Sequence, residues 1–245
     1  MTVKGFIDII ERSAILYPKE IFSQHHKIYT CVNPFSYHIV KNQPHLYEKM
    51  DGLFVDGITM CWLINLFWKK KIPRKSFDMT SIAKDLFEWL STIEQTIYFI
   101  GTKQELIGKS IKNIKNSYPN LKIAGYRNGY FSSNEERIKA IHDIVALNPN
   151  FVVVGMGSPI QEKFAIDLKD SGYSGIVFTC GGFIHQSAQE LNYFPNWINR
   201  YHLRAFYRLI KERGLFKRLY NVLIQFPILF TKDTLQYKLS TTKKI

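Results

Sequence analysis

Acidic residues are scarce: 20 Asp and Glu stand against 33 Lys and Arg in 245 residues, a formal charge of +13. Such a balance implies an anionic partner, whether nucleic acid, an acidic membrane or a phosphorylated substrate, and does not choose among the three. Cysteine is nearly absent. Cys31, Cys61 and Cys180 are odd in number and widely spaced, and no CxxC or Cys/His pair has zinc spacing. That excludes a disulfide framework and predicts reduced thiols in a cytosolic setting. No run of 18 apolar residues exists; the nearest, LYNVLIQFPILF (219–230), is short and broken by Asn, Gln and Pro. The opening MTVKGFIDIIERSA has Asp and Glu where a signal peptide needs an unbroken apolar core. Neither a transmembrane span nor a secretory leader is expected.

Several motifs are missing as well. The glycine turn GMGSPIQEK (155–163) is neither GxGxxG nor a P-loop, since it lacks the GK[ST] ending, and the sequence holds no HExxH and no GxSxG elbow. No DxD pair is present to hold a divalent cation against a diphosphate, so the sequence predicts no metal site. Diphosphate chemistry would then rely on backbone N–H groups and Lys/Arg for positive charge.

What is present is apolar and aromatic, at 46% and 15%, enough for a sizeable core in a chain of this length. Short β-type runs recur: KIYTCV (27–32), LFV (53–55), TIYFIG (96–101), LKIAGY (121–126), FVVVG (151–155) and GIVFT (175–179). The later runs are nearly continuous in apolar residues, as strands buried on both faces should be. Between them lie amphipathic segments. One places Ile107, Ile111, Ile114 and Tyr118 on a single face. A second opens with a Ser133-x-x-Glu136 capping box and sets Ile138, Ile141 and Val145 on one side. A third starts at Ser158-Pro159, read as N-cap and N1 proline. The alternation predicts an α/β fold: a mostly parallel sheet with helices on both faces. Ligands of such sheets bind at the carboxyl ends of the strands.

The last fifty residues differ. Residues 196–245 hold 11 Lys/Arg against Glu212 and Asp233, and so carry +9 of the +13. Arg200, Arg204, Arg208 and Lys211 follow helical spacing, with Ile198, Ala205 and Leu209 roughly opposite. The pattern fits an ordinary surface helix. It also fits a basic amphipathic helix on an anionic membrane, flanked by Trp197, Tyr201, Phe206 and Tyr207. The expected organisation is an α/β domain, 1–195, and a basic helical C-terminal appendage, 196–245.

Candidate chemistry clusters where strands end. Asp56, in LFVDGITM, follows a short strand and precedes a probable helix, a place for a general base or for a helix cap. CVNPF puts Asn33-Pro34 directly after the first strand. GMGSPIQEK (155–163) puts Gly155 and Gly157 between a strand and a helix N-terminus, where backbone N–H groups can approach a phosphate. Gln161 there is either a ligand contact or half of a Ser158-x-x-Gln161 capping box. TCGGFIHQ (179–186) supplies Gly181, with His185 and Gln186 beyond it.

The ordered set VNPFSY (32–37), VDG (55–57), SFDMTS (76–81), GMGSPIQE (155–162), CGGFIHQ (180–186) and FPNW…FYRL (194–209) resembles the WecG/TagA/CpsF glycosyltransferase family. The similarity covers roughly residues 28–220. It implies a Rossmann-like catalytic domain with a basic, membrane-associating C-terminal appendage, and an inverting, metal-independent transfer of a hexose derivative from a UDP-sugar to a polyprenyl-diphosphate-linked acceptor, with no cofactor. It further implies a cytoplasmic enzyme peripheral on the inner face of the bacterial membrane, in a capsule or exopolysaccharide branch. By the resemblance Asp56 is the catalytic base. Asn33 beside it contacts the sugars, Gln161 contacts donor or acceptor, and Arg204, Arg208 and Arg218 meet the acceptor diphosphate or lipid headgroups. Thr30 or Cys31 fills the family's threonine position, and Arg74 or Ser76 its arginine position. The family's acid after the glycine pair is replaced around His185-Gln186. Self-association into a homo-oligomer stays open, and no nucleic acid is expected. The rival readings are a non-catalytic basic module binding RNA or acidic membranes, and a nucleotide-dependent oxidoreductase.

Overall fold

Six short strands, each followed by helix, build one sheet whose strands all run the same way. The computed structural model describes residues 1–14, 18–201, 203–211 and 220–242. Helices α1 (Val3–Ala14) and α2 (Pro18–Phe22) lead into β1 (Lys27–Val32), followed by α3 (Tyr37–Asn42), α4 (Pro44–Glu48) and β2 (Gly52–Val55). Then come α5 (Ile58–Trp68), α6 (Ile82–Leu90), β3 (Thr96–Gly101), α7 (Gln104–Ser117), β4 (Lys122–Arg127), α8 (Asn134–Leu147) and β5 (Phe151–Gly155). The chain continues through α9 (Ile160–Asp170), β6 (Ile176–Thr179), α10 (Phe183–Ser187), α11 (Asn196–Arg200) and α12 (Arg204–Lys211). A π-helical turn (Asn221–Gln225) precedes α13 (Phe226–Thr242). The spatial order is β2-β1-β6-β5-β3-β4, parallel throughout. Every strand therefore delivers its carboxyl end to the same edge.

Period-two alternation divides the interior into two cores. Val152 and Val154 of β5 join Ile28, Val32, Leu53 and Val55 in a core shared with α1, α5, α9 and α13. Phe151 and Val153 turn the other way, to Tyr29, Phe54, Ile97 and Phe99 under α6, α7 and α10. All five residues of β5 are buried, as its unbroken apolar run predicts. In α6 the buried positions Ile82, Ala83, Leu86, Phe87 and Leu90 form the stripe that a helix on a sheet requires.

Three local expectations change. Ser133 does cap α8, its Oγ accepting from Glu136 N at 3.2 Å. Glu136 does not reciprocate, because its carboxylate is taken by Ser132 and Arg127. The packing face of α8 is Ala140, Ile141 and Ile144. Ile138 is exposed, since Arg137 fills that side with its guanidinium 5.7 Å from the Phe164 ring. At α9 the cap position falls on Pro159, after a cis Ser158-Pro159 bond, and Ser158 makes no capping bond. Third, the basic run 200–211 is not one helix. The chain turns after Arg200, with Leu203 N bonded to Ile198 O at 3.0 Å, so Arg200 lies off the face of α12.

The C-terminal helix packs inward. Phe226 and Phe230 of α13 sit in the first core against Tyr37, with ring centroids at 5.4 and 5.5 Å. Asp233 accepts from Tyr37 Oη at 3.0 Å and pairs with Lys41 at 2.8 Å. The π-helical turn ends just before Phe226-Pro227, where the proline's missing N–H interrupts the regular ladder. Among the described residues no helix is long and apolar enough to cross a membrane.

Candidate active site

At the carboxyl edge, the turns after β1 and β2 interlock. Asp56 N continues the sheet ladder to Val32 O at 2.8 Å, which fixes where the Asp56 side chain starts. Gly57 follows at φ 155°, and a Cβ there would come within 2.6 Å of Pro34 Cδ. Only glycine lets the two turns close on each other. Asn33 completes its own turn: its Oδ1 accepts from Ser36 N at 2.9 Å, and its N–H donates to Ser36 Oγ at 2.9 Å. The Asn-Pro step thus forms the wall beside Asp56.

Asp56 does not cap α5, whose cap position is Gly57 without a side-chain bond. Its Oδ1 instead accepts from Arg74 Nη2 at 2.8 Å, while Oδ2 has no partner among the described residues. Arg74 also donates to Ser76 and, at 2.7 Å, to Asp78. Asp78 in turn receives Arg204 Nη1 at 2.6 Å. Arg204 donates further to Thr80 at 2.7 Å and lies 4.8 Å from the Phe194 ring. Charges therefore alternate along Asp56, Arg74, Asp78 and Arg204. Burial works against the Asp78 charge, but the Arg74 and Arg204 guanidinium groups outweigh it and hold the carboxyl well below the usual range. Burial likewise disfavours the Arg74 cation, and Asp56 with Asp78 reverses this and raises its pKa. Cys31, half-buried, has its thiol pushed up by burial and then by the Asp56 charge.

A second group lies where β1, β5 and β6 meet. Thr30 is fully buried; its Oγ1 donates to Glu162 Oε1 at 2.9 Å and also contacts Thr179 Oγ1. Gln161, also buried, donates Nε2 to Glu162 Oε1 at 2.9 Å and accepts from Gly181 N at 3.1 Å. Gly157 and Gly181 have φ of 78° and 55° with open space where a Cβ would stand, so their backbone is bare to an incoming group. Gly155 packs on Cys180, whose thiol burial pushes up to about 12. His185 is exposed, its Nδ1 3.4 Å from Thr102 Oγ1, and Gln186 sits on the same short helix α10.

The structure thus gathers Asp56, Arg74, Ser76 and Cys31, with Asn33 at the adjoining turn. It separates them from Thr30, Gln161 and Gly181. Of the paired alternatives, Cys31 feels the Asp56 charge while Thr30 bonds Glu162, and Arg74 bonds Asp56 directly while Ser76 bonds Arg74 and Asp78. Arg204 is engaged with Asp78 rather than displayed on an outer basic face. The Arg208 side chain and all of Arg218 lie outside the described residues. Sequence reasoning passed over Asp78, Thr80 and Glu162. Arg74 and Asp78 stand four apart in a non-helical segment, so helical spacing gave no signal for the first. Among the described residues no three His, Cys, Asp or Glu side chains gather as a metal site. A cavity of about 460 Å³ lies between α4, α8 and α9 and shares no lining residue with either group.

A parallel α/β sheet with glycine turns and a one-sidedly anchored carboxylate at its carboxyl edge sets the candidate residues where such sheets bind their ligands. The chain belongs to the WecG/TagA/CpsF family of glycosyl transferases, whose sequence profile matches residues 13–240, and it is a glycosyltransferase. A UDP-Gal:alpha-D-GlcNAc-diphosphoundecaprenol beta-1,4-galactosyltransferase of Shigella boydii is 34% identical over 208 residues, 85% of this chain and 87% of that protein. An N-acetylglucosaminyldiphosphoundecaprenol N-acetyl-beta-D-mannosaminyltransferase of Bacillus subtilis (strain 168) is 30% identical over 58% of this chain and 54% of its own length. Its counterpart in Bacillus spizizenii is 24% identical over 70% and 65%.

Proposed function

We propose that the protein transfers a hexose, with inversion and without a metal, from a UDP-sugar to a polyprenyl-diphosphate-linked sugar at the inner face of the membrane. The observation that carries this is the Asp56 carboxylate, with one oxygen fixed by Arg74 and the other without a partner among the described residues. That oxygen takes the proton of the acceptor hydroxyl as its oxygen attacks the anomeric carbon. The bond from that carbon to the UDP oxygen breaks, and UDP leaves with the electron pair. One displacement inverts the centre, so one base suffices. The open turns at Gly157 and Gly181, the first close to the N-terminus of α9, offer N–H groups to the leaving diphosphate. The +13 charge suits both an anionic donor and an acceptor held at an anionic surface. The Shigella relative makes UDP-galactose and a GlcNAc-diphosphate lipid the first pair to try.

The test is UDP release and lipid-linked product from a panel of UDP-sugars with a short-chain polyprenyl-diphosphate sugar, with and without EDTA. EDTA-resistant product is expected from one donor. Asp56→Asn should lower kcat by about 10²–10⁴-fold, the usual contribution of a general base, while leaving donor affinity within a few-fold. No turnover with any donor, alongside salt-sensitive binding of arbitrary RNA, would replace this reading with a basic binding module.

A further inference from the structure

Glu162 is a buried acid that the proposed chemistry does not use. It is fully enclosed on α9, and its Oε1 accepts three hydrogen bonds: from Thr30 of β1 at 2.9 Å, Ser158 at 3.0 Å and Gln161 at 2.9 Å. Its Oε2 is buried with no partner among the described residues, and so is the Oη of Tyr47 on α4. Burial pushes the Glu162 carboxyl up while the three hydrogen bonds pull it back. A buried acid with one orphaned oxygen is a poor device for stability, because a well-packed apolar side chain would avoid that desolvation. What the acid does accomplish is directional. Gln161 must point its Nε2 at Glu162, which leaves its Oε1 for the Gly181 N–H at 3.1 Å. Thr30 must point its hydroxyl hydrogen at Glu162, so at its contact with Thr179 it is the acceptor.

Resting on the proposed reaction, we infer that Glu162 is a positioning residue: through Gln161 it fixes the Gly181 turn after β6 against the Gly157–Ser158 turn after β5, so that both meet the donor diphosphate in register. Gln161 on this account is part of the scaffold, with both ends of its amide committed inside the protein. Gly181 has φ of 55° and open space where a Cβ would stand, and its N–H is held by the Gln161 side chain.

Glu162→Leu removes the acceptor, and Gln161→Leu cuts the link to Gly181 while leaving Glu162 bonded to Thr30 and Ser158. Two readouts apply to each: amide hydrogen exchange at Gly181 by NMR, and UDP affinity by calorimetry. Both variants should speed Gly181 exchange at least tenfold and weaken UDP binding about tenfold, with KM for the donor rising more than kcat falls. Glu162→Gln, whose amide oxygen can accept the same three bonds, should restore most of both. Val154→Ala, a core truncation outside the network, is the control for destabilisation alone and should leave UDP affinity unchanged. Unaltered Gly181 exchange in both leucine variants overturns the clamp. Faster exchange with unchanged UDP affinity overturns its role toward the donor. Absence of UDP binding by the wild-type protein sinks the proposed reaction instead, and the exchange measurement still decides the clamp.

Discussion

Asp78 shows how a single residue can link the tail to the base. It accepts from Arg74, which holds Asp56, and from Arg204, which comes from α12. Its folded pKa is depressed, so its contribution to stability is fully present above the unfolded value of about 4 and is lost as pH falls toward the folded one. Asp78→Asn should therefore cost about 2 kcal/mol at neutral pH, the range for a hydrogen bond to a charged group. The variant should lose less than the wild type on acidification. Thermal melts from pH 7 to pH 2 check this, and parallel acid limbs would show that the stabilisation resides elsewhere. Asp56 was legible in the sequence because it sits in a recognisable strand-end turn. Asp78 was not, because what gives it importance is Arg204, far along the chain. No local pattern announces a partner 126 positions away.

At the level of elements, all six strands were legible to within a residue or so, since runs such as FVVVG suit a parallel sheet buried on both faces and little else. Helix phase and helix ends were less so. Ile138 fits the helical period, yet it lies at the rim because Arg137 occupies the seam. The basic run 200–211 fits one helix, and a tertiary turn at Tyr201 splits it. The inward packing of α13 was invisible, because Pro227 and the polar Asn221 and Gln225 argue locally against a docked helix. Phe230 is the test of that packing. It is fully buried among Tyr37, Phe67 and Phe226. Phe230→Ala should lower stability by about 3–5 kcal/mol, read from the urea midpoint. A loss under 1 kcal/mol would mean that α13 contributes little to the core.

Taken whole, the molecule carries its excess positive charge together with exposed apolar side chains on two helices in mutual contact, Trp62 and Leu66 of α5 and Leu235 and Leu239 of α13. Binding to vesicles containing anionic lipid should follow, at about 1 kcal/mol per surface-proximal Lys or Arg, and should weaken as salt screens it. Co-sedimentation across lipid charge and ionic strength checks this; equal binding to neutral vesicles would sink it. The first core has one further consequence, for how the chain is made. One wall of that core is α1 and another is α13, at opposite ends of the described chain. The second core draws on residues 21–191 and needs neither. During synthesis, then, one face of the sheet can consolidate while the other is still waiting for Phe226 and Phe230 to leave the ribosome. Until they do, Tyr37 and its neighbours are left as an open apolar seam, the surface on which a chaperone or a premature contact would act first.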